Sequence, residues 1–257
     1  MTKADETILS VHKSIDVLLL LQNEGREMGV TEIAKRLGMN KSTIHRILAT
    51  LDSRDFVQQN SETGKYWLGL RLYSLGMTLA DKLPLKVIAA PYLKALSEKF
   101  NEGVHMAVLD RSFSLFPKML IIDKIQTQQL LSFTPPIGSG STCNSSGMGK
   151  CLLAFCSDEY IRKYIGTPLP RFTKNTITEW PEFLQELKHV REAGYAIDRE
   201  ELEMGLTCVA GPILNRKQEI VAAISLSGPT SRINSDMLPE IIAEVKRTAK
   251  AISQLLQ

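Results

Sequence analysis

The sequence is poor in the features that mark membrane-spanning, secreted and zinc-binding proteins. No apolar run approaches the roughly 20 residues that a membrane-spanning helix needs. The segment from Met1 to Ser10 contains acidic residues and lacks the apolar core of a secretion signal. Only four cysteines occur in 257 residues, and no two have the Cys-x-x-Cys spacing of common zinc sites. We therefore expect a cytoplasmic protein that has free thiols and holds no metal or other cofactor.

Phosphate-binding motifs are missing as well. A P-loop requires a glycine five positions before Gly149 and a Ser or Thr after Lys150, but Asn144 and Cys151 stand there. A dinucleotide fingerprint starting at Gly138 would need a third glycine where Cys143 stands. The sequence therefore excludes both common nucleotide-binding motifs.

Residues for catalysis are scarce. Cys208 with His105 is the one nucleophile and base that we can suggest, and no third residue is evident that would orient the histidine. A metal site built from His105 with Cys143 or Cys208 has equally little support. The sequence therefore predicts a protein that is not an enzyme.

Charge is nearly balanced over the chain, with a formal net charge of +3, but its distribution is uneven. The segment from Lys35 to Leu51 contains four basic residues and no aspartate or glutamate. The basic residues are Lys35, Arg36, Lys41 and Arg46. A local basic surface in a nearly neutral chain is typical of a protein that reads specific DNA sequences.

The N-terminal part of the chain is predicted to begin with three helices. The first has an inward face at helical spacing, thickened by neighbouring apolar residues. That face comprises Val11, Ile15, Leu18, Leu19 and Gln22, and the thickening residues are Val17, Leu20 and Leu21. Thr31 is a candidate N-cap for a short second helix, Glu32 to Leu37, which Gly38 ends. The third helix is predicted from Lys41 to about Arg54.

A hairpin follows the third helix. Its strands are predicted at Phe56 to Gln59 and at Lys65 to Leu68, and the turn between them includes Gly64, where a positive φ is expected. A short helix, a turn and a second helix form a helix-turn-helix, and the hairpin completes a winged version of that motif.

The third helix has two distinct faces. Ile44, Ile47, Leu48 and Leu51 point inward, whereas Ser42, His45, Arg46 and Ala49 lie on the outer side. Arginine can bond a guanine edge with two hydrogen bonds, hydroxyl groups can reach phosphate or bases, and lysine neutralises phosphate. The candidate DNA-binding residues are Lys13, Thr31, Lys41, Ser42, Thr43, His45, Arg46 and Lys65. The alternative is a solvated amphipathic helix in a bundle.

The remaining chain alternates helices and strands in an order typical of an α+β fold with a mixed or antiparallel sheet. The predicted strands are Val104 to Leu109, Leu120 to Ile125, Leu130 to Phe133, Tyr195 to Asp198, Cys208 to Leu214 and Ile220 to Ser227. The predicted helices are Ala90 to Phe100, Ser146 to Phe155, Glu159 to Ile165, Glu182 to Glu192 and Pro239 to Leu256, and the segment from Pro135 to Gly140 is a predicted loop. A connecting helix is predicted from Leu70 to Leu83, where Pro84 ends or kinks it.

Several motifs in one order resemble the IclR family of bacterial transcription regulators. The N-terminal motifs run from Thr31 to Arg46 and from Thr63 to Leu72. The C-terminal motifs are His105 to Leu109, Gly149 to Phe155, Asn175 to Thr178, Gly194 to Asp198 and Ala223 to Pro229. The resemblance covers nearly the whole chain from about Ser10. It implies a winged helix-turn-helix over residues 8–70, a connecting helix over 71–84 and a GAF-like effector-binding domain over 85–257.

The resemblance also implies a homodimer or homotetramer that binds a near-palindromic operator and senses a small organic or sugar acid. Residues at the family's ligand-contacting positions are Gly147, Met148, Asp198, Cys208, Ser225 and Ser227. The residues themselves add support, because Ser225 and Ser227 end one face of an otherwise apolar strand and buried hydroxyl groups need partners. The amides at the start of the helix after Ser146 would favour an anion. A structural role remains the alternative for each residue taken singly.

Two segments depart from the family pattern. The stretch from Arg111 to Lys118 is longer than the usual turn, and Ser141 to Asn144 stands where the family more often has an apolar residue, proline and histidine. A different function, redox sensing through Cys143 or Cys151, remains an alternative to ligand sensing.

Overall fold

The computed structural model describes residues 7–110 and 116–256. The chain divides into two compact units, Met1–Leu83 and Pro84–Gln257, and the predicted start of the C-terminal domain at residue 85 lies one residue beyond this division. The first five residues of the long segment from Arg111 to Lys118 lie outside the described residues.

Within residues 7–83, the first unit contains four helices and a two-stranded antiparallel hairpin. Its elements are α1 (Leu9–Glu24), α2 (Val30–Leu37), α3 (Lys41–Asp52), β1 (Val57–Gln59), β2 (Tyr66–Leu68) and α4 (Leu70–Asp81). Val17 of α1, Ile33 of α2 and Leu48 of α3 are fully buried in one core, against which Val57 and Tyr66 of the hairpin pack. The predicted helix-turn-helix and wing are therefore present.

The predicted inward face of α1 was wrong. Val17 and Leu21 are the buried residues of this helix, whereas Val11, Ile15 and Leu19 are 51%, 46% and 49% exposed. The helix is apolar over more than one stripe, so periodicity alone cannot identify the stripe that contacts the rest of the unit.

The predicted N-cap of α2 was also wrong. The cap is Gly29, whose carbonyl accepts hydrogen bonds from the amides of Glu32 and Ile33, and Thr31 lies within the first turn. The end of the helix is as predicted, because Gly38 adopts a left-handed φ of 63°.

The second unit is built on a six-stranded sheet with the strand order β5-β4-β3-β8-β7-β6. Every pairing in this order is antiparallel. The strands are β3 (Gly103–Asp110), β4 (Lys118–Ile125), β5 (Gly140–Thr142), β6 (Ala196–Arg199), β7 (Leu206–Leu214) and β8 (Ile220–Pro229). The helices are α5 (Pro84–Phe100), α6 (Gly147–Ala154), α7 (Asp158–Arg162), α8 (Trp180–Ala193) and α9 (Leu238–Leu255). The predicted α+β class is confirmed.

Helices cover both faces of this sheet. Because side chains alternate along a strand, Ile224 and Leu226 of β8 join the core beneath α5 and α9, whereas Ala223 joins the core beneath α6 and α8. Ser225 and Ser227 share the face of Ala223, as predicted from the sequence. This face therefore carries polar groups beside α6.

Three predicted elements differ from the structure. Leu130 to Phe133 is not a strand; its residues Leu130 and Leu131 are 106% and 69% exposed, and no strand among the described residues pairs with them. The helix predicted from Ala90 starts at Pro84, since proline is well accommodated in a first helical turn where no amide partner is needed, and α4 ends before this proline as predicted. The strand β5 starts at Gly140, inside the predicted loop, and pairs with β4.

Candidate functional site

The outer face of α3 is the first candidate site. Ile44, Ile47 and Leu48 anchor the helix from behind, so that His45 and Arg46 are exposed on the opposite side. The helix begins after Asn40, whose carbonyl accepts hydrogen bonds from the amides of Thr43 and Ile44. Ser42 and Lys41 in the first turn are also exposed.

A second helix contributes to this surface. Lys13 of α1 lines one groove together with Thr43 and Arg46 of α3. By contrast, Arg36 is paired with Glu24, with 3.1 Å between Nη2 and Oε1, so that this part of the predicted basic surface is locally neutralised. The positive groups nearest the groove are therefore those of α1 and α3.

The wing has the predicted geometry. Val57 pairs with Leu68 across the hairpin, and Gly64 in the turn has a φ of 66°. The side-chain oxygen of Asn60 accepts hydrogen bonds from the amides of Glu62 and Thr63 and so stabilises the turn. Lys65 is exposed beside it. Thr31, on α2, is also exposed.

The second candidate site is a cavity of about 160 Å³ in the second unit. All of the residues that the sequence places at ligand-contacting positions line it, namely Gly147, Met148, Asp198, Cys208, Ser225 and Ser227. His105 and Ser141, which the sequence analysis did not assign to a ligand site, line it as well.

The register of four strands creates the polar wall of this cavity. His105 of β3 stands opposite Ser225 of β8, and Ser227 of β8 stands opposite Cys208 of β7. Cys208 in turn stands opposite Asp198 of β6. His105 lies far in sequence from Asp198, Cys208, Ser225 and Ser227, so spacing within one segment could not reveal its proximity to them. The oxygens of Ser225 and Ser227 lie 3.2 Å apart.

Helix α6 begins at the cavity. The hydroxyl of Ser146 accepts a hydrogen bond from the amide of Gly149 at 3.0 Å and so caps the helix. The amides of Gly147 and Met148 have no partner within a helix that starts there. A Cβ at Gly149 would lie 2.4 Å from the Cα of Cys143, so only glycine allows this close approach. The predicted anion-favouring helix start therefore faces the cavity.

Four buried polar atoms in the cavity wall have no hydrogen-bond partner among the described residues. They are both ring nitrogens of His105, Oγ of Ser141 and Oδ2 of Asp198. Each such atom costs about 1–3 kcal/mol when it is left unpaired. Native proteins rarely retain several such groups together, and these four point to a polar ligand or water in the cavity.

The electrostatic environment differs between the two titratable groups. Burial is the main reason that the pKa of His105 is lowered to about 4, and the Lys124 ammonium contributes a smaller decrease. The Phe133 backbone acts in the opposite direction and raises this pKa. Burial raises the pKa of Asp198 to about 7. The amide of Glu201, which donates to Oδ1 of Asp198 at 2.7 Å, and the Lys150 ammonium act in the opposite direction.

Lys150 joins α6 to the segment that carries Asp198. Its side chain is 1% exposed, and its ammonium donates to Oε1 of Glu201 at 2.6 Å, to Oε1 of Glu186 at 3.1 Å and to the carbonyl of Ile197 at 3.1 Å. In the sequence this lysine is notable only as part of an incomplete P-loop motif. A lysine directly after a glycine-rich helix start gives no indication of partners 36 and 51 residues away.

The environment of the cysteines disfavours a reactive thiolate in the described part of the chain. All four are buried thiols, and Cys208 alone among them lines the cavity. Burial raises the pKa of Cys143, Cys151 and Cys208, which disfavours the reactive thiolate. Within residues 7–110 and 116–256, no three potential metal ligands lie together.

Asn144, which lies in one of the two segments that depart from the family pattern, makes hydrogen bonds with a structural role. Its side-chain amide donates to the carbonyls of Pro170 and Ile177 at 2.9 and 3.1 Å, and the residue is fully buried. It does not line the cavity. The side chain instead holds the segment that follows α7.

Comparison with known proteins matches both parts of the chain to one family. Residues 10–61 match the IclR helix-turn-helix domain, and residues 77–254 match the C-terminal domain of the bacterial transcriptional regulator IclR. The chain belongs to the IclR family. The transcriptional repressor IclR of Escherichia coli (strain K12) is 33% identical over 247 residues, which cover 96% of this chain and 89% of the repressor.

Solved structures of IclR-family regulators share the fold. The IclR transcriptional regulator from Alicyclobacillus acidocaldarius is 27% identical, with a TM-score of 0.85 over 98% of this chain and all of that one. An IclR homologue from Microbacterium hydrocarbonoxydans, 22% identical with a TM-score of 0.81 over 96% of this chain and 98% of its own, is complexed with 4-hydroxybenzoate. This chain is thus an IclR-type transcriptional regulator with a helix-turn-helix DNA-binding domain. No helix in its described ranges is long and apolar enough to cross a membrane.

Proposed function

We propose that this IclR-family regulator binds a near-palindromic operator and that a small effector in the cavity of the second unit controls the binding. The observation that carries the effector role is the group of four unpartnered polar atoms in the cavity wall. A ligand that binds one conformation of the regulator better than another shifts the population toward that conformation and changes the affinity for DNA.

The proposed DNA contacts divide into those that read bases and those that hold the backbone. Arg46 is placed to bond a guanine edge, and Ser42 and His45 lie on the same exposed face of α3. Contacts to phosphate are assigned to the remaining candidates, which are Lys13, Thr31, Lys41, Thr43 and Lys65. The anchoring of α3 by buried isoleucines and leucine supports this division, because it leaves the polar face free for a groove.

We assign a homo-oligomer, a dimer or tetramer, because the first unit exposes large apolar side chains that a monomer would leave in contact with water. No residue of α4 is buried, and Leu70, Tyr73 and Leu79 are 76%, 68% and 63% exposed. Such surfaces mark contacts with other protein. Two copies of the DNA-binding unit would then prefer two related half-sites at a regular spacing.

The test of effector control separates DNA binding from ligand response. A duplex selected in vitro from random sequences serves as the operator, and its affinity is measured with and without small hydroxy acids and sugar acids. Compounds that bind also raise the melting temperature by linkage. We expect Ser225→Val to abolish the response while DNA affinity in the absence of ligand is unchanged.

Ser235→Val provides the matched control, because Ser235 is exposed and does not line the cavity. Its ligand response should equal that of the wild type. A normal response in the Ser225→Val variant would refute the assignment of the cavity as the effector site.

A further inference from the structure

The turn of the wing, residues 60–64, is held by a side chain that lies outside the wing. Glu27 stands in the connection between α1 and α2. Its carboxylate accepts hydrogen bonds from the side-chain amide of Asn60 at 2.9 and 3.2 Å and from the hydroxyl of Thr63 at 3.1 Å. One carboxylate thus takes three hydrogen bonds from two residues of the turn, and bonds to an ionised acceptor are stronger than neutral ones.

The backbone beside Glu27 fixes its position against the hairpin. The amide of Met28 donates to the carbonyl of Tyr66 at 3.0 Å, and the amide of Tyr66 donates to the carbonyl of Met28 at 2.8 Å. Met28 is fully buried in the core of the first unit. The carboxylate of Glu27 therefore reaches the turn from a point that the core holds in place.

Two further hydrogen bonds extend this contact to Lys65. The amide of Lys65 donates to the hydroxyl of Thr63 at 3.3 Å, and its carbonyl accepts from the amide of Asn60 at 2.8 Å. Lys65 is exposed and is the only basic residue in the hairpin sequence, residues 57–68. Both residues that Glu27 holds are thus bonded to the backbone of the one cation of the wing.

The ammonium of Lys65 lies near the start of α2. The hydrogen bond from Arg26 is the main reason that the pKa of Glu32 lies below its usual range, and the nearby Lys65 ammonium contributes a smaller decrease. Thr31, which precedes Glu32, is exposed and is also assigned to phosphate under the proposed function. The geometry of the turn thus brings two of the proposed phosphate contacts together.

We propose that Glu27 is a positioning residue for DNA binding, which holds the wing turn so that Lys65 meets the DNA backbone. The inference rests on the proposed contact between Lys65 and phosphate. Removal of a carboxylate near DNA by itself strengthens binding, because like charges repel. Loss of Glu27 should instead weaken binding, since a released turn must be ordered again whenever Lys65 contacts DNA.

The experiment measures the affinity of the full-length protein for selected and random duplexes at several salt concentrations. Glu27→Gln places an NH₂ group against the Asn60 amide, donor against donor. This variant should bind both kinds of duplex about threefold more weakly, and the slope of log affinity against log salt should fall by up to about 1.

Glu62→Gln is the matched control, because it removes an equal charge from the same turn. The side chain of Glu62 is exposed, and among the hydrogen bonds of the described residues only its backbone amide takes part. The control should bind DNA as tightly as the wild type or more tightly. The two substitutions are thus expected to act in opposite directions, which a change in net charge alone cannot produce.

Two substitutions of Thr63 test the same connection without a change in charge. Thr63→Ala removes the hydroxyl that joins Glu27 to the Lys65 amide and should weaken binding by a factor similar to that of Glu27→Gln. Thr63→Ser keeps a hydroxyl and should restore most of the lost affinity. Thr63 is exposed, so both variants leave the core of the first unit intact.

A double substitution shows whether Glu27 acts through Lys65. Added to Lys65→Ala, Glu27→Gln should weaken binding no further. Binding by Glu27→Gln that equals or exceeds that of the wild type, or an undiminished further loss in the Lys65→Ala background, would overturn the positioning role and leave the Lys65 contact intact. If Lys65→Ala alone changed neither the affinity nor the salt slope, the proposed phosphate contact of the wing would itself be wrong.

Discussion

The two candidate sites are built in opposite ways. The proposed DNA-reading face lies on one twelve-residue helix, α3, where Ser42, His45 and Arg46 are exposed. The cavity is lined by residues of all six strands and of the start of α6, and its unpartnered polar atoms are buried. In the first site each residue acts almost independently of its neighbours in the fold. In the second, every polar group depends on the pairing of distant segments, so substitutions there should change stability as well as binding.

Lys150→Met should have the largest effect of these substitutions on stability. It tests how strongly the residues of the second unit depend on one another. The change leaves the carboxylates of Glu201 and Glu186 without their shared cation. Removal of one partner of a buried pair costs about 3–5 kcal/mol of unfolding free energy.

Chemical denaturation would measure this loss, with Lys188→Met, at an exposed lysine of α8, as the control. Because a buried pair can be replaced as a whole, a second substitution, Glu201→Gln, should restore part of the stability. Equal stability of the Lys150→Met variant and the wild type would show that the pair does not support the cavity.

The stability of the second unit should also depend on Asp198 and pH. The folded carboxyl keeps its proton up to about pH 7, whereas the unfolded carboxyl, with a pKa near 3.8, loses it earlier. The native state therefore binds more protons between these values, and the contribution of Asp198 to stability falls as pH rises from about 4 to 7 and is constant above.

Each unit of pKa shift corresponds to about 1.4 kcal/mol. Relative to the wild type, the Asp198→Asn variant should become more stable as pH rises through this window, by a few kcal/mol of unfolding free energy in total. Unfolding measured at a series of pH values would test this. A difference that does not vary with pH would contradict the buried environment of this carboxyl.

Arg46→Ala tests the independent character of the exposed site. We expect a loss of about 1–3 kcal/mol in binding to a selected operator, because a bidentate contact to a base edge is removed. Fluorescence anisotropy would measure this loss. The Arg46→Ala change should leave thermal stability unchanged. Arg54→Ala, an exposed control just beyond the end of α3, should leave it unchanged as well. Unchanged operator affinity would remove Arg46 from the base-reading set.

Lys41→Ala should have the smallest effect. Loss of one phosphate contact should weaken binding to every duplex to a similar degree and should lower the slope of log affinity against log salt by about 1. Affinity measured at several salt concentrations on selected and random duplexes would check this. A loss confined to one sequence would instead assign Lys41 to base recognition.

The same contrast explains which features could be predicted from the sequence. The helix-turn-helix depends on local signals, such as the i, i+3, i+4 spacing of Ile44, Ile47 and Leu48 and the left-handed glycines at 38 and 64, and these predictions were confirmed. Strand alternation likewise placed Ser225 and Ser227 on one face of β8.

The remaining features depend on tertiary contacts that no local pattern encodes. His105 joins the cavity only through the register of β3 against β8. The stretch from Leu130 to Phe133 has the composition of a strand but no partner strand, and it is irregular. On α1, several apolar stripes compete, and packing against the other helices selects Val17 and Leu21.

In vitro selection from random DNA, with the wild type and the Arg46→Ala variant, would show whether the cationic face of α3 reads a duplex groove. We expect the wild type to enrich a near-palindromic motif and the variant to lose the preference for one base at equivalent positions of both half-sites. Enrichment of no motif by the wild type, or of the same motif by both proteins, would contradict this role of α3.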